Sequence, residues 1–190
     1  MKIDTMTITA EQFDAFVRLP ENVERLFEYI GGEIVEVLSN PFASKVSQMI
    51  AGELYIFLKG KDLGLLTGEA GGYVVYGERY APDVAYISKV KQPELAHEGY
   101  NPNPPDLAVE VDYPPSYQSA RNLMNKVANY LAAGTVVWVV YPDTQSVDVF
   151  EPSKPAKTLT TDGVLDGGAV LPGFQLAVKE IFPPTPKTEG

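Results

Sequence analysis

The chain contains no cysteine and a single histidine, His97. The absence of cysteine excludes disulfide scaffolds, thiol nucleophiles, iron–sulfur clusters and thiolate zinc sites. One histidine excludes a multi-histidine metal site built within one chain. The chemistry left to this sequence uses carboxylates, lysine, serine, tyrosine and metal ions bound through oxygen.

Long apolar runs are also missing. No run reaches the roughly 20 residues that a transmembrane helix needs, and segment 1–10 lacks the apolar core of a signal peptide. We therefore expect a cytoplasmic protein with no membrane partner. At 190 residues the chain fits one domain over 1–190, with a core over about 7–182 and a proline-rich tail at 183–190.

Positive charge is scarce. The sequence has 15 Lys and Arg against 25 Asp and Glu, a formal net charge of −10. This is the wrong sign for a bulk nucleic-acid binder, which usually carries a basic face. It still allows a local basic groove, or a site where metal ions offset phosphate charge.

Local signals predict both helices and strands. Thr9 and Gln12 form a capping box before a short helix, and Gly31-Gly32 between two alternating runs predicts a β-hairpin. The pair Asn40-Pro41 is interpreted as a chain break, and Ser116 as the N-cap of a later helix. Apolar periodicity predicts helices over 43–59 and 120–133, and strands over 65–69, 73–76, 80–87, 106–111, 135–141 and 146–150.

The order of these elements indicates the fold class. Consecutive early strands favour antiparallel pairing, whereas the strand–helix–strand unit from Asp106 to Tyr141 implies one parallel crossover. We therefore predict an α+β (mixed α/β) fold: one central mixed β-sheet flanked by helices, with an N-terminal β-hairpin.

Two carboxylates lie in apolar strand sequences. Asp83 follows Pro82 in one predicted strand, and Glu110 lies near the end of another. A carboxylate buried in a sheet is costly unless it is paired or bound to metal, so the two could meet at one hard cation such as Mg²⁺. The alternative is that each points outward from a half-exposed strand.

Glu28 and Lys126 are weaker candidates on the residues alone. Glu28 fits a polar position on a strand edge. Lys126 lies to one side of an apolar helical stripe through positions 120, 123, 124, 127 and 131, where a solvated lysine is the ordinary interpretation. The alternative is an ammonium that reaches the sheet and stabilises developing phosphate charge or orients water.

Four short motifs follow one another in the order of a known family. They are RLFEYIGGEIVE at 25–36, PDVA at 82–85, PDLAVEV at 105–111, and KVANYLAAG at 126–134 followed by VWVV at 137–140. Together they resemble the Uma family, described as "putative restriction endonucleases", from about residue 7 to 182.

The resemblance implies a fold like that of the PD-(D/E)xK nucleases, in which an Asp and a Glu on adjacent strands hold Mg²⁺ or Mn²⁺ and a Lys assists the water. Asp83 and Glu110 match the metal-binding acids, and Val111 is assigned as a further metal ligand. The usual Lys position two residues after the Glu is Asp112 here, so Lys126 matches the migrated lysine of the family. Glu28 matches an additional acidic residue.

Two classes of function remain open at this point. One is a metal-dependent endonuclease that hydrolyses DNA, with Asp83, Glu110, Lys126 and Glu28 as catalytic residues. The other is a catalytically inactive nuclease fold that serves as a binding or assembly module, which the net charge favours. We also expect a homodimer, because double-strand cleavage commonly needs two active sites and the sequence is rich in aromatic residues.

Overall fold

The computed structural model describes residues 7–38 and 40–182. The proline-rich segment 183–190 therefore lies outside the described residues. Within them the chain forms three α-helices, α1 (Ala10–Val17), α2 (Pro41–Leu58) and α3 (Tyr117–Ala132), and one 3₁₀ helix (Val178–Glu180). The strands are β1 (Phe27–Ile30), β2 (Glu33–Glu36), β3 (Gly64–Gly68), β4 (Tyr73–Val75), β5 (Glu78–Tyr80), β6 (Val84–Ser88), β7 (Leu107–Val111), β8 (Val136–Tyr141), β9 (Ser146–Phe150), β10 (Lys157–Leu159), β11 (Val164–Asp166) and β12 (Gln175–Ala177).

A six-stranded mixed sheet forms the centre, in the order β10-β9-β8-β7-β6-β3. Its β7 and β8 are parallel and joined through α3, while every other neighbouring pair is antiparallel. The predicted fold class and the single parallel crossover are confirmed. The sequence predicted one sheet, however, and the structure adds a four-stranded antiparallel sheet (β2-β1-β5-β4) and the small β11–β12 pair.

The two faces of the central sheet are covered differently. On one face, α2 and the segment from β11 to Phe182 pack against side chains such as Val109 and Trp138. On the other face, α3 and the four-stranded sheet pack against Ala108 and Val139. The second face is the one that carries the candidate site.

Local signals explain where most elements begin and end. The Thr9–Gln12 capping box and the Ser116 N-cap are present, and Gly31 and Gly32 take the positive φ angles (60° and 88°) that the hairpin turn requires. The predicted boundary at Asn40-Pro41 is present, but α2 begins at Pro41, two residues before the predicted start. Asn40 is the N-cap of α2 and accepts hydrogen bonds from the backbone N–H groups of Phe42 and Ala43, and Pro41 fits the first helical position.

The predicted strand over 80–87 is divided between two sheets. Tyr80 ends β5 in the four-stranded sheet, and Val84 begins β6 in the central sheet. Pro82 lacks the N–H group that a sheet ladder needs, which separates the two strands. Asp83 therefore lies at the crossing point from one sheet to the other, just before β6.

Candidate active site

Glu110 points from the central sheet into the protein. Residues alternate between the two faces of β7, so Glu110 lies on the same face as Ala108, towards α3. It is only 7% exposed. A carboxylate in this position needs a compensating charge or hydrogen bonds.

Lys126 supplies that charge. Its Nζ lies 2.7 Å from Glu110 Oε2 and 2.7 Å from Glu28 Oε1, and the residue is 6% exposed. The ordinary interpretation of Lys126 as a solvated helix lysine is wrong. The buried face of α3 consists of Leu123, Lys126, Val127 and Tyr130, and it is thus rotated from the predicted stripe, whose Met124 is 44% exposed.

Glu28 comes from the other sheet. It lies in β1, is 6% exposed, and its Oε1 accepts hydrogen bonds from Lys126 Nζ and from the backbone N–H of Ala81 at 2.7 Å. The interpretation of Glu28 as a polar residue on a strand edge is wrong as well, because β1 lies between β2 and β5 and Glu28 is buried. The four-stranded sheet, the central sheet and α3 each contribute one charged group to a single buried cluster.

Asp83 lies beside this cluster without contacting Lys126. Its Oδ2 accepts a hydrogen bond of 2.6 Å from the backbone N–H of Val111, and its side chain is half-buried. Burial raises the pKa of Asp83 to about 6, and the nearby charge of Glu28 adds to this, while the Val111 N–H and Lys126 oppose it. Asp83, Glu28, Glu110 and Lys126 all line one pocket of about 590 Å³.

The electrostatics of the cluster favour a protonated lysine. Burial raises the pKa of Glu110 and lowers that of Lys126, but the charges of Glu110 and Glu28 outweigh burial at Lys126, so its pKa is raised overall. Lys126 is therefore an ammonium at neutral pH. It can donate hydrogen bonds and stabilise negative charge, but it cannot accept a proton.

Tyr130 also belongs to the cluster, and the sequence interpretation gave it no role. Its hydroxyl donates a 3.1 Å hydrogen bond to Glu110 Oε1, and its ring is fully buried against Tyr80. Tyr130 follows Lys126 by four residues, which places both side chains on one face of α3. This four-residue spacing was the sequence signal from which a place for Tyr130 beside Lys126 could have been predicted.

We expect Tyr130→Phe to lower the free energy of unfolding by about 1–3 kcal/mol, because Glu110 Oε1 loses a donor in a buried setting. Urea denaturation measures the change. Tyr76→Phe is the matched control, since Tyr76 is 69% exposed, and it should change stability by no more than about 0.5 kcal/mol. Equal effects of the two variants would contradict the hydrogen bond.

Two carboxylates of the pocket are candidate ligands for a metal ion. The described residues contain no group of three or more His, Asp and Glu side chains placed to hold a metal. Mg²⁺, however, is commonly bound by one or two carboxylates together with water and substrate phosphate. Asp83 and Glu110 fit that pattern, and the Val111 carbonyl, which accepts a bond from Tyr113 N–H, retains a second lone pair.

Further polar groups line the pocket. Asp112, at the usual lysine position, accepts a 3.2 Å hydrogen bond from Ser119 Oγ, and burial raises its pKa. Tyr113 lines this pocket and a smaller one of about 250 Å³, which also reaches Asp83.

No helix among the described residues has the length and apolar character needed to cross a membrane.

Comparison with known proteins agrees with this architecture. The model of the Uma2 family, described as "Putative restriction endonuclease", matches residues 13–179. No curated protein matches the chain. Among solved structures, the chain is similar to "a putative nuclease belonging to DUF820" from Anabaena variabilis, with a TM-score of 0.75 and 21% identity over 92% of this chain and 97% of that chain. At 21% identity, this similarity is evidence for a shared fold. Because the family model covers most of the sequence, the chain belongs to the Uma2 family.

Proposed function

We propose that this protein is a metal-dependent endonuclease that hydrolyses phosphodiester bonds in DNA. Asp83, Glu110 and the Val111 carbonyl hold Mg²⁺ or Mn²⁺, and Lys126 stabilises negative charge on the reacting phosphate. The observation that carries the proposal is the buried ammonium of Lys126, held at 2.7 Å by two carboxylates in a pocket that a third carboxylate also lines. Perturbed titratable groups gathered in one pocket are typical of active sites.

The charge of the cluster explains why a metal is needed. Asp83, Glu110, Glu28 and Lys126 together carry a formal charge of −2, and Glu36 and Asp112 add negative charge to the pocket lining, which repels a phosphodiester. One divalent cation offsets the charge of the buried cluster. When bound, such an ion polarises a phosphate oxygen and lowers the pKa of a water ligand.

The side chains of the pocket have separate roles in the proposed reaction. Lys126, protonated and directed to the pocket, stabilises the charge that develops on phosphate oxygens. Glu28 is a positioning residue, since its Oε1 is anchored by Ala81 N–H and holds the ammonium in place. Val111 N–H and Tyr130 O–H orient Asp83 and Glu110 respectively.

Plasmid cleavage tests the proposal. We expect cleavage in Mg²⁺ or Mn²⁺, none in excess chelator, and a rate about 10³-fold lower in Asp83→Ala, since metal assistance supplies several kcal/mol of transition-state stabilisation. Asp162→Ala is the control, because Asp162 is an exposed carboxylate outside the pocket. Cleavage that persists in chelator or in Asp83→Ala would refute the proposal.

An inactive nuclease fold that serves as a binding or assembly module is the second candidate, and the net charge of −10 favours it. The cluster argues against it. Buried ion pairs are commonly no more stabilising than apolar residues of similar size, so a purely structural role gives no reason to keep three charged groups at this position.

We further propose a cytoplasmic homodimer. The absence of cysteine suits a reducing compartment, and two copies supply the two sites that cutting both strands of a duplex commonly requires.

A further inference from the structure

The outer face of α2 carries large apolar side chains that the described chain leaves open. Phe42, Met49 and Ile56 are 39%, 42% and 66% exposed. They are seven residues apart, a spacing that aligns them along one side of a helix. The stripe from Phe42 to Ile56 is about 21 Å long at the helical rise per residue.

Gly52 lies on this same face, in the interior of α2. A methyl group added there would meet nothing within 4 Å, and the residue has no positive φ that would require glycine. Glycine inside a helix costs about 0.5–1 kcal/mol relative to alanine. Nothing within the described chain explains this cost, whereas close approach of a second helix backbone would.

Two opposite charges lie symmetrically about the centre of the stripe. Lys45 precedes Met49 by four residues and Glu53 follows it by four, and both are exposed. They are two turns apart and too distant to pair with each other. Neither makes an ion pair with another described residue.

An antiparallel second copy of α2 satisfies this pattern. With a two-fold axis at Met49, each Lys45 faces Glu53 of the other copy, and each Phe42 faces the other Ile56. Met49 meets its own equivalent. A two-fold contact requires such self-complementarity, since both copies present the same surface.

We propose that α2 forms the interface of a homodimer, packed antiparallel across a two-fold axis at Met49. The proposal rests on the homodimer proposed above and gives it a location. It also connects the interface to the candidate site. The Phe42 ring lies 4.8 Å from the ring of Tyr113, which lines the pocket, so Ile56 of the second copy would be connected to each site through Phe42 and Tyr113.

A single introduced cysteine tests the axis, because the chain has none of its own. Residues on a two-fold axis meet their equivalents, and a disulfide forms only when the Cβ atoms approach within about 3.5–4.5 Å. We expect Met49→Cys to convert to a covalent dimer under mild oxidation at micromolar concentration. Tyr55→Cys is the matched control: Tyr55 is 59% exposed but lies on another side of α2, and it should stay uncrosslinked.

Charge reversal tests the pairing. Lys45→Glu places like charges opposite each other twice, and we expect the dimer dissociation constant to rise on the order of tenfold or more in sedimentation equilibrium. Adding Glu53→Lys to that variant should restore the affinity of the dimer. Restored affinity identifies an intermolecular contact, because the two residues do not touch within one chain.

The outcomes separate the interface from the nuclease activity. A wild-type protein that is monomeric at about 100 μM, or a dimer indifferent to Lys45→Glu, overturns the interface. Crosslinking through Met49→Cys in a protein without cleavage activity supports the interface and refutes the nuclease. Cleavage by a protein that does not crosslink refutes the interface alone.

Discussion

Lys126→Met is expected to lower the free energy of unfolding by about 3–5 kcal/mol, since it leaves two buried carboxylates without a cation. Glu28 and Glu110 then face the same buried space, each less than 10% exposed. Urea denaturation followed by tryptophan fluorescence measures the loss, because the single tryptophan, Trp138, is buried and reports on the core.

The control for Lys126 is a surface lysine with a similar contact. Lys154 pairs with Glu151 at 2.6 Å but is 60% exposed, so Lys154→Met should change stability by no more than about 0.5 kcal/mol. Adding Glu28→Gln and Glu110→Gln to Lys126→Met should recover most of the lost stability, because the amides keep the hydrogen-bond acceptors and remove the charges. A loss below about 1 kcal/mol in Lys126→Met would contradict a buried ammonium.

Mg²⁺ or Mn²⁺ is expected to stabilise the folded protein. A ligand at 100 times its dissociation constant adds about 2.7 kcal/mol, which raises the Tm of a chain of this size by about 5–10 °C. The physical reason is repulsion among Asp83, Glu110 and Glu28: burial is the largest cause of the raised pKa of Asp83 and of Glu110, and the charge of Glu28 raises both further. A dication bound by Asp83 and Glu110 would reduce this repulsion.

Differential scanning fluorimetry with metal titration checks this expectation. Asp83→Asn and Glu110→Gln should each remove the metal-dependent shift, whereas Asp162→Asn should retain it. No shift with either ion at about 10 mM would count against a metal site at these carboxylates, independently of any cleavage assay.

Much of the fold was predictable because its signals are local. Capping boxes, the Gly31-Gly32 turn and helical periodicity each depend on residues within a few positions of one another. The division of segment 80–87 between two sheets was not, because sheet membership depends on distant strands. Tyr80 pairs with Tyr73, and Val84 pairs with Gly68 and Val109.

In the candidate site too, some residues were predictable from local sequence and others depend on distant parts of the chain. Residues alone could name Asp83 and Glu110, since carboxylates in apolar strands are unusual. They could not place Lys126, whose burial is decided by packing against β1, nearly a hundred positions earlier. Periodicity in α3 predicted a stripe ending at Leu131, whereas the buried face shares Leu123 and Val127 with that stripe and is rotated towards Lys126 and Tyr130. The family resemblance supplied Glu28 and Lys126, and it gave no role to Tyr130.

The three-element cluster has a consequence for how the protein is made. Synthesis runs from the N-terminus, so Glu28 and Glu110 leave the ribosome before Lys126 does. Strand β8, which lies between β7 and β9, follows later still. A nascent chain that ends before α3 therefore holds Glu28 and Glu110 without the Lys126 ammonium, and its central sheet lacks β8, β9 and β10, the first two of which are inner strands. The pocket lining is complete only once α3 has been made, so chains that end before Lys126 cannot assemble the charged cluster.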